Sequence, residues 1–298
     1  MHRELLAHPH IGSYSACMLL AFLFGYALVR WRAVRLGISG RHIDNVSLLI
    51  PPLSLFGARF FSWLFYMPAG IGFWEGMTMD GGGLVFYGGL IFAALTVVIY
   101  TLARKIPLRE MADACAAPVM LGLAIGRIGC FMAGCCWGDI CAAPQSLASV
   151  TDPHVSFKIQ TFPALSPAGF PLAVTFPQEA GAFEQHVKLK LILSETAHSL
   201  PVHPVQLYEA GLAFLFCFLL HHYFQKRRYP GDIFWVMMIG YGLIRFTTEF
   251  FRGDNSPAYW GLTISQVISV LFFVVGGGAL LFRARPTFRP ALAMNRAQ

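Results

Sequence analysis

GLAIGRIGCFMAGCCWG, residues 122–138, closes an apolar run that opens at Met111 and sets Arg127 among glycines 122, 126, 129, 134 and 138. The run from Met111 to Phe131 is long enough for a helix to cross a bilayer, which takes roughly 20 mostly apolar residues. A charge in hydrocarbon is costly, so an arginine there marks a functional position by default. The glycines let backbones approach closely and leave room beside a guanidinium. This one stretch therefore predicts a membrane helix with a polar site built into it.

Similar runs lie on both sides, at about Tyr14–Val29, Val46–Tyr66, Leu84–Ala103, Val205–Phe224, Ile233–Phe251 and Leu262–Phe282. Together they predict an all-α polytopic membrane protein of about seven spanning helices, forming a single membrane domain over residues 1–298. Composition agrees: 56% of the 298 residues are hydrophobic and 12% charged, against roughly 25% charged in soluble domains. The net charge of +7 does not indicate nucleic acid, because the basic residues sit in short blocks between the apolar runs. These blocks are Arg30/Arg32/Arg35/Arg41, Arg104/Lys105/Arg109, Lys226/Arg227/Arg228 and Arg283/Arg285/Arg289/Arg296. All four fall on one side if seven helices alternate, and the positive-inside rule assigns that side to the cytoplasm. The N-terminus is then outside and the C-terminus inside. The first run has its basic residues after it rather than before it, the reverse of a cleavable signal, and is expected to stay as the first span.

Residues 139–203 lie on the outer side in this topology. Prolines are frequent there, and Val155–Phe162 and His186–Leu193 alternate in polarity, which predicts short strands. The segment is expected to form a small periplasmic head, with short β-strands, inserted between the fourth and fifth spans. No internal repeat or low-complexity tract stands out.

Four intramembrane arginines carry the candidate chemistry: Arg59, Arg127, Arg245 and Arg252. Tyr241, Arg245, Glu249 and Arg252 are spaced four, four and three apart, one face of a helix. Arg245 and Glu249 read equally as a structural i,i+4 ion pair. Arg127 has no acid within one turn, and an unpaired guanidinium suits a phosphate, gripped by two parallel hydrogen bonds. Arg59 reads also as a snorkelling side chain. HPVQLYEAG (203–211) places His203, Gln206, Tyr208 and Glu209 at the start of the fifth span. His203 reads equally as an interfacial residue, and Glu209 as a packing partner of one arginine. Glycines 81–83, 88 and 89 around Tyr87 give either close approach to substrate or a tight helix contact.

The motifs GRIGCFMAGCCWG, HPVQLYEA, GYGLIRFTTEFFR, FGARFFSWLFY and FYGGLI resemble, in order and spacing from Tyr14 to Gln266, those of bacterial prolipoprotein diacylglyceryl transferases. The resemblance implies seven spans, an external N-terminus and a periplasmic head in the inner membrane. It also implies a transferase of lipoprotein biosynthesis. Its partners would be phosphatidylglycerol, or a similar anionic lipid, and a prolipoprotein signal peptide; the diacylglyceryl group passes to the lipobox cysteine thiol. Carried over by motif, Arg127 and Arg245 would hold the lipid headgroup. Tyr14, Arg59, Gln206, Tyr208, Glu209, Tyr241, Glu249 and Arg252 also match motif positions. No cofactor or metal is implied.

This chain departs from the family pattern at Tyr87, where a histidine is usual, at Cys130 and Ala133 (asparagines), at Cys135 (glutamate) and at Asp139 (often arginine). Of its seven cysteines, Cys130, Cys135, Cys136 and Cys141 gather within twelve residues, a cysteine-rich motif. An oxidising periplasm permits disulfides. Clustered thiols also bind soft metals, but the spacing is not a standard zinc pattern, so a metal is the weaker expectation and a disulfide or reactive thiolates among the four the stronger. Tyr87, Tyr241 and His203 are the available proton acceptors for a thiol. The alternative function is a paralogue on this scaffold using its cysteines for thiol-redox chemistry, or for binding or transport of a small anion or thiol compound.

Overall fold

The structure, a computed structural model, describes residues 4–6, 11–68, 70–78, 83–141, 171–253 and 261–282. Its elements are β1 (Glu4–Leu6), β2 (Ile11–Gly12), α1 (Ser13–Arg35), α2 (Gly40–Tyr66), α3 (Phe73–Met77), α4 (Phe86–Ala103), α5 (Leu108–Ala133), α6 (Gly181–Lys188), α7 (Val205–Phe224), α8 (Asp232–Glu249) and α9 (Ile264–Leu281). Each of the seven expected apolar runs is a helix. Among the described residues α1, α2, α4, α5, α7 and α9 are long and apolar enough to cross a membrane. The remaining one, α8, is 18 residues long and buries Asp232, Arg245 and Glu249.

The radial distribution of side chains is that of a protein solvated by hydrocarbon. Leu19, Leu48, Leu102 and Val274 point outward, whereas many buried positions are small or polar, among them Ala58, Ser62, Thr96, Ala114, Ala117, Ala124, Ala213 and Ser269, beside larger ones such as Ile43, Met120 and Leu220. Lipid is as apolar as leucine, so small buried residues, which let backbones approach closely, contribute to packing between spans.

The chain divides into two compact units. One contains residues 26–115 and 229–231. Here α2 packs along α4, with Gly57 against the Phe92 ring and Gly88 against the Gly57 carbonyl and Phe61. Gly88 and Gly89 therefore serve helix contact, the second of the two readings. Arg32, expected in a cytoplasmic basic block, is fully buried and donates to the Asp113 carbonyl at 3.0 Å. Asp113 Oδ2 accepts from Gly231 N at 2.8 Å, and Ala33, Ile38, Ile43, Ile106, Met111 and Ala114 pack there as a core.

The other unit contains residues 1–25, 116–228 and 232–286. In it α8 packs on both α7 and α9. Phe176, Ala180, Ala182 and Val202 form a core with Phe131, Trp137, Ile140 and Val174. The strand expected at His186–Leu193 is absent. Instead α6 runs through Lys188, because Ala182, Phe183 and His186 are buried at helical spacing. Glu184 in its first turn and His186 and Lys188 in its last suit the helix dipole. Lys190, at φ 58, turns the chain back. Val155–Phe162 lies outside the described residues. Within the described part of 139–203, pairing is limited to isolated bridges such as Ile140 with Val202 and Val174 with Val202.

Candidate active site

The last two turns of α5, the first turns of α7 and the end of α8 with the residues just after it bring together five charged side chains far apart in sequence. Arg127 Nε stands 3.0 Å from Glu209 Oε2, and Arg245 Nη1 stands 3.7 Å from the same oxygen. Arg245 Nη2 lies 2.9 Å from Glu249 Oε2, and Arg252 Nε lies 3.9 Å from it. The order is Arg127–Glu209–Arg245–Glu249–Arg252, each carboxylate shared by two guanidiniums. Both glutamates are fully buried, with side-chain exposures of 1% and 0%. Arginine interiors of this kind are tolerated because each charge has a partner. Three guanidiniums and two carboxylates are linked in this way among the described residues.

Arg127 is not unpaired, as its isolation along the helix suggested; its partner comes from α7. The pairing is through Nε, without the alignment of a hydrogen bond. Among the described residues nothing accepts from its two terminal nitrogens, and the side chain keeps 14% exposure. Arg245 and Glu249 do form the i,i+4 pair.

Two hydroxyls that sequence reading missed complete the cluster. Thr263 Oγ1 donates to Glu249 Oε1 at 2.7 Å, and Ser265 Oγ accepts from Arg245 Nη2 at 2.9 Å. Thr263 also caps α9 in a capping box with Gln266. The Thr-x-x-Gln signature was readable; its second task, holding Glu249, was not.

The chain leaving α5 folds back tightly. Gly134 (φ 70) and Cys136 (φ 59) are left-handed, Cys135 N donates to Cys130 O at 3.1 Å, and Gln206 Nε2 secures the Cys135 carbonyl at 2.8 Å. The thiols of Cys130, Cys135 and Cys136 all lie within 4.8 Å of one another. Cys141 is not in this group; burial pushes its thiol up to about 12. Hydrogen bonds from Cys130 and Cys135, with the charges of Arg252 and Arg127, hold the Cys136 thiol well below the usual range, while the same hydrogen bonding raises Cys135.

His203 continues this turn: its backbone pairs with Gly138 and Asp139. Its ring Nδ1 is 3.3 Å from Tyr208 Oη, and its ring packs edgewise on Phe251. Burial lowers its pKa, so the imidazole is neutral at neutral pH. Tyr14 in the first turn of α1 reaches Gly129, which also abuts Cys17. Tyr241 leans on Phe272.

Arg59 and Tyr87 belong to the other unit. Arg59 does not snorkel; it is 4% exposed and donates to the backbone carbonyls of Thr78 and Gly83. Tyr87 is half-exposed at the start of α4 and packs edgewise against Phe86.

These features define a multi-pass membrane protein with a buried guanidinium–carboxylate cluster near the ends of its helices. The chain belongs to the prolipoprotein diacylglyceryl transferase family, whose profile matches residues 4–282. It is 30% identical to the phosphatidylglycerol–prolipoprotein diacylglyceryl transferase of Paraburkholderia xenovorans over 98% of this chain and 99% of that protein. It is 30% identical to the enzyme of the same name from Paraburkholderia phytofirmans, over 98% and 100%, and 26% identical to that of Clostridium tetani, over 89% and 90%.

Proposed function

We propose that this protein transfers the diacylglyceryl group of phosphatidylglycerol to the lipobox cysteine thiol in the signal peptide of a prolipoprotein. The observation that carries the reading is the Arg127 guanidinium, held at Nε by Glu209, whose two terminal nitrogens have no acceptor among the described residues. A phosphodiester supplies a negative charge and two acceptor oxygens in the geometry of the fork.

In the reaction the acceptor sulfur attacks the glyceryl carbon bonded to the phosphate oxygen. The S–C bond forms as the C–O bond breaks, and glycerol phosphate departs with the electron pair. Charge builds on the leaving phosphate, where Arg127 and Arg245 stabilise it. The thiol proton passes to a neutral base. His203 is favoured over Tyr87 in that role, since burial keeps its imidazole unprotonated and it lies in the unit that carries both arginines. Glu209 and Glu249 are positioning residues that hold the guanidiniums.

The basic blocks put the N-terminus in the periplasm and the C-terminus in the cytoplasm of a bacterial inner membrane. The arginine cluster is then at the outer ends of α5 and α8, and residues 139–203 are on the periplasmic side. Complementation tests the reading: the chain should restore growth to a strain depleted of its own diacylglyceryl transferase. Failure of a well-expressed, membrane-inserted protein to do so contradicts it.

A further inference from the structure

We propose that Cys130, Cys135 and Cys136 form a three-thiolate binding site for a soft monovalent cation, Cu(I). The inference is independent of the transferase reading. The linear spacing of the cysteines argued against zinc, but the fold selects three of the four thiols and brings them within 4.8 Å of one another. A thiolate–metal bond of about 2.3 Å sets three trigonal sulfurs about 4 Å apart, so a small closing movement of the side chains completes the site.

The turn itself is built for this convergence. Cys136 occupies a left-handed conformation (φ 59) that a residue with a Cβ rarely adopts. The Cys130 carbonyl receives both the backbone N–H of Cys135 and, at 3.6 Å, its thiol. Gln206, from a different helix, locks the Cys135 carbonyl. A disulfide would engage two of these sulfurs and strand the third, whereas a trigonal ion engages all three.

Ligand type and charge choose the ion. Thiolates select soft cations, and structural zinc takes four ligands, while this group, among the described residues, offers three. Cu(I) with three thiolates carries two negative charges, and the positive charge of Arg252 acts on the Cys136 sulfur. Binding releases the three thiol protons to solvent and changes no oxidation state.

The full-length protein, purified in detergent with its seven thiols reduced, is titrated anaerobically with Cu(I) against a colorimetric Cu(I) chelator. The expected result is one Cu(I) retained per chain, with three sulfurs at a single distance by X-ray absorption. Serine at 130, 135 or 136 should weaken retention by about 100-fold or more, beyond the loss for a residue that merely supports a ligand, and Cys141→Ser should leave it unchanged. Cu(I) should also shield Cys130, Cys135 and Cys136 of the wild type from alkylation, a readout that needs no variant to fold. Absence of retained Cu(I), retention in the triple serine or triple alanine variant, or shielding of other cysteines instead overturns the site.

Discussion

One carboxylate oxygen, Glu209 Oε2, serves two arginines, standing 3.0 Å from Arg127 Nε and 3.7 Å from Arg245 Nη1. Glu209 is therefore the residue that joins Arg127 and Arg245 into one site. Glu209→Gln keeps the shape and removes the charge. Breaking a buried pair from one side costs about 3–5 kcal/mol, so the variant should unfold at lower temperature in detergent and lose most activity. A melting temperature equal to the wild type would show that the shared carboxylate does not hold the cluster.

Arg127→Lys separates charge from geometry. Lysine keeps the positive charge but not the planar fork. The variant should insert and fold, yet lose about 100-fold or more in turnover, in the range seen when a single oxyanion-type donor is removed. Measurement of kcat and KM for phosphatidylglycerol checks this. Wild-type rates in Arg127→Lys would mean that no bidentate grip is made.

His203 and Tyr87 offer opposed predictions. His203→Ala should lower turnover strongly, and Tyr87→Phe should be nearly neutral, because Tyr87 is half-exposed at the start of α4. The reverse pattern in the same transfer assay would move the base to Tyr87.

His186 provides a pH test within the segment between α5 and α7. It is 3% exposed, its Nδ1 accepts from Leu200 N at 3.2 Å, and burial lowers its pKa from 6.5 to about 4. The folded segment thus holds a neutral imidazole, while the unfolded chain takes up a proton below pH 6.5. Stability should be full above pH 6.5, fall as pH drops towards 4, and level off below, a total of roughly 3 kcal/mol. Hydrogen exchange of amides 181–202 across that range should show the loss, and His186→Phe should flatten it. An unchanged slope in His186→Phe would assign the pH dependence elsewhere.

How much of this was legible depended on the range of the interaction. The seven long helices, six of them long and apolar enough to span, could be read because an apolar run announces itself over roughly 20 residues, and Arg245 with Glu249 because i,i+4 spacing is local. The Arg127–Glu209 pair was not legible, since it joins α5 to α7 and nothing near either residue names the other. The strand reading of His186–Leu193 followed its alternation but missed that Ala182, Phe183 and His186 share a helical face against the core. Four clustered cysteines were evident; which three converge depends on the left-handed turn at Cys136, which no propensity scale for cysteine suggests.

The central claim is lipid transfer at the arginine cluster, and the most direct measurement uses the purified protein. It is incubated with phosphatidylglycerol and a synthetic lipobox peptide, and the peptide is followed by mass spectrometry. The account predicts a diacylglyceryl mass added at the cysteine, stoichiometric release of glycerol phosphate, and loss of both in Arg127→Ala and Arg245→Ala. Undiminished transfer in those two variants, or no transfer by the folded wild type, would contradict it.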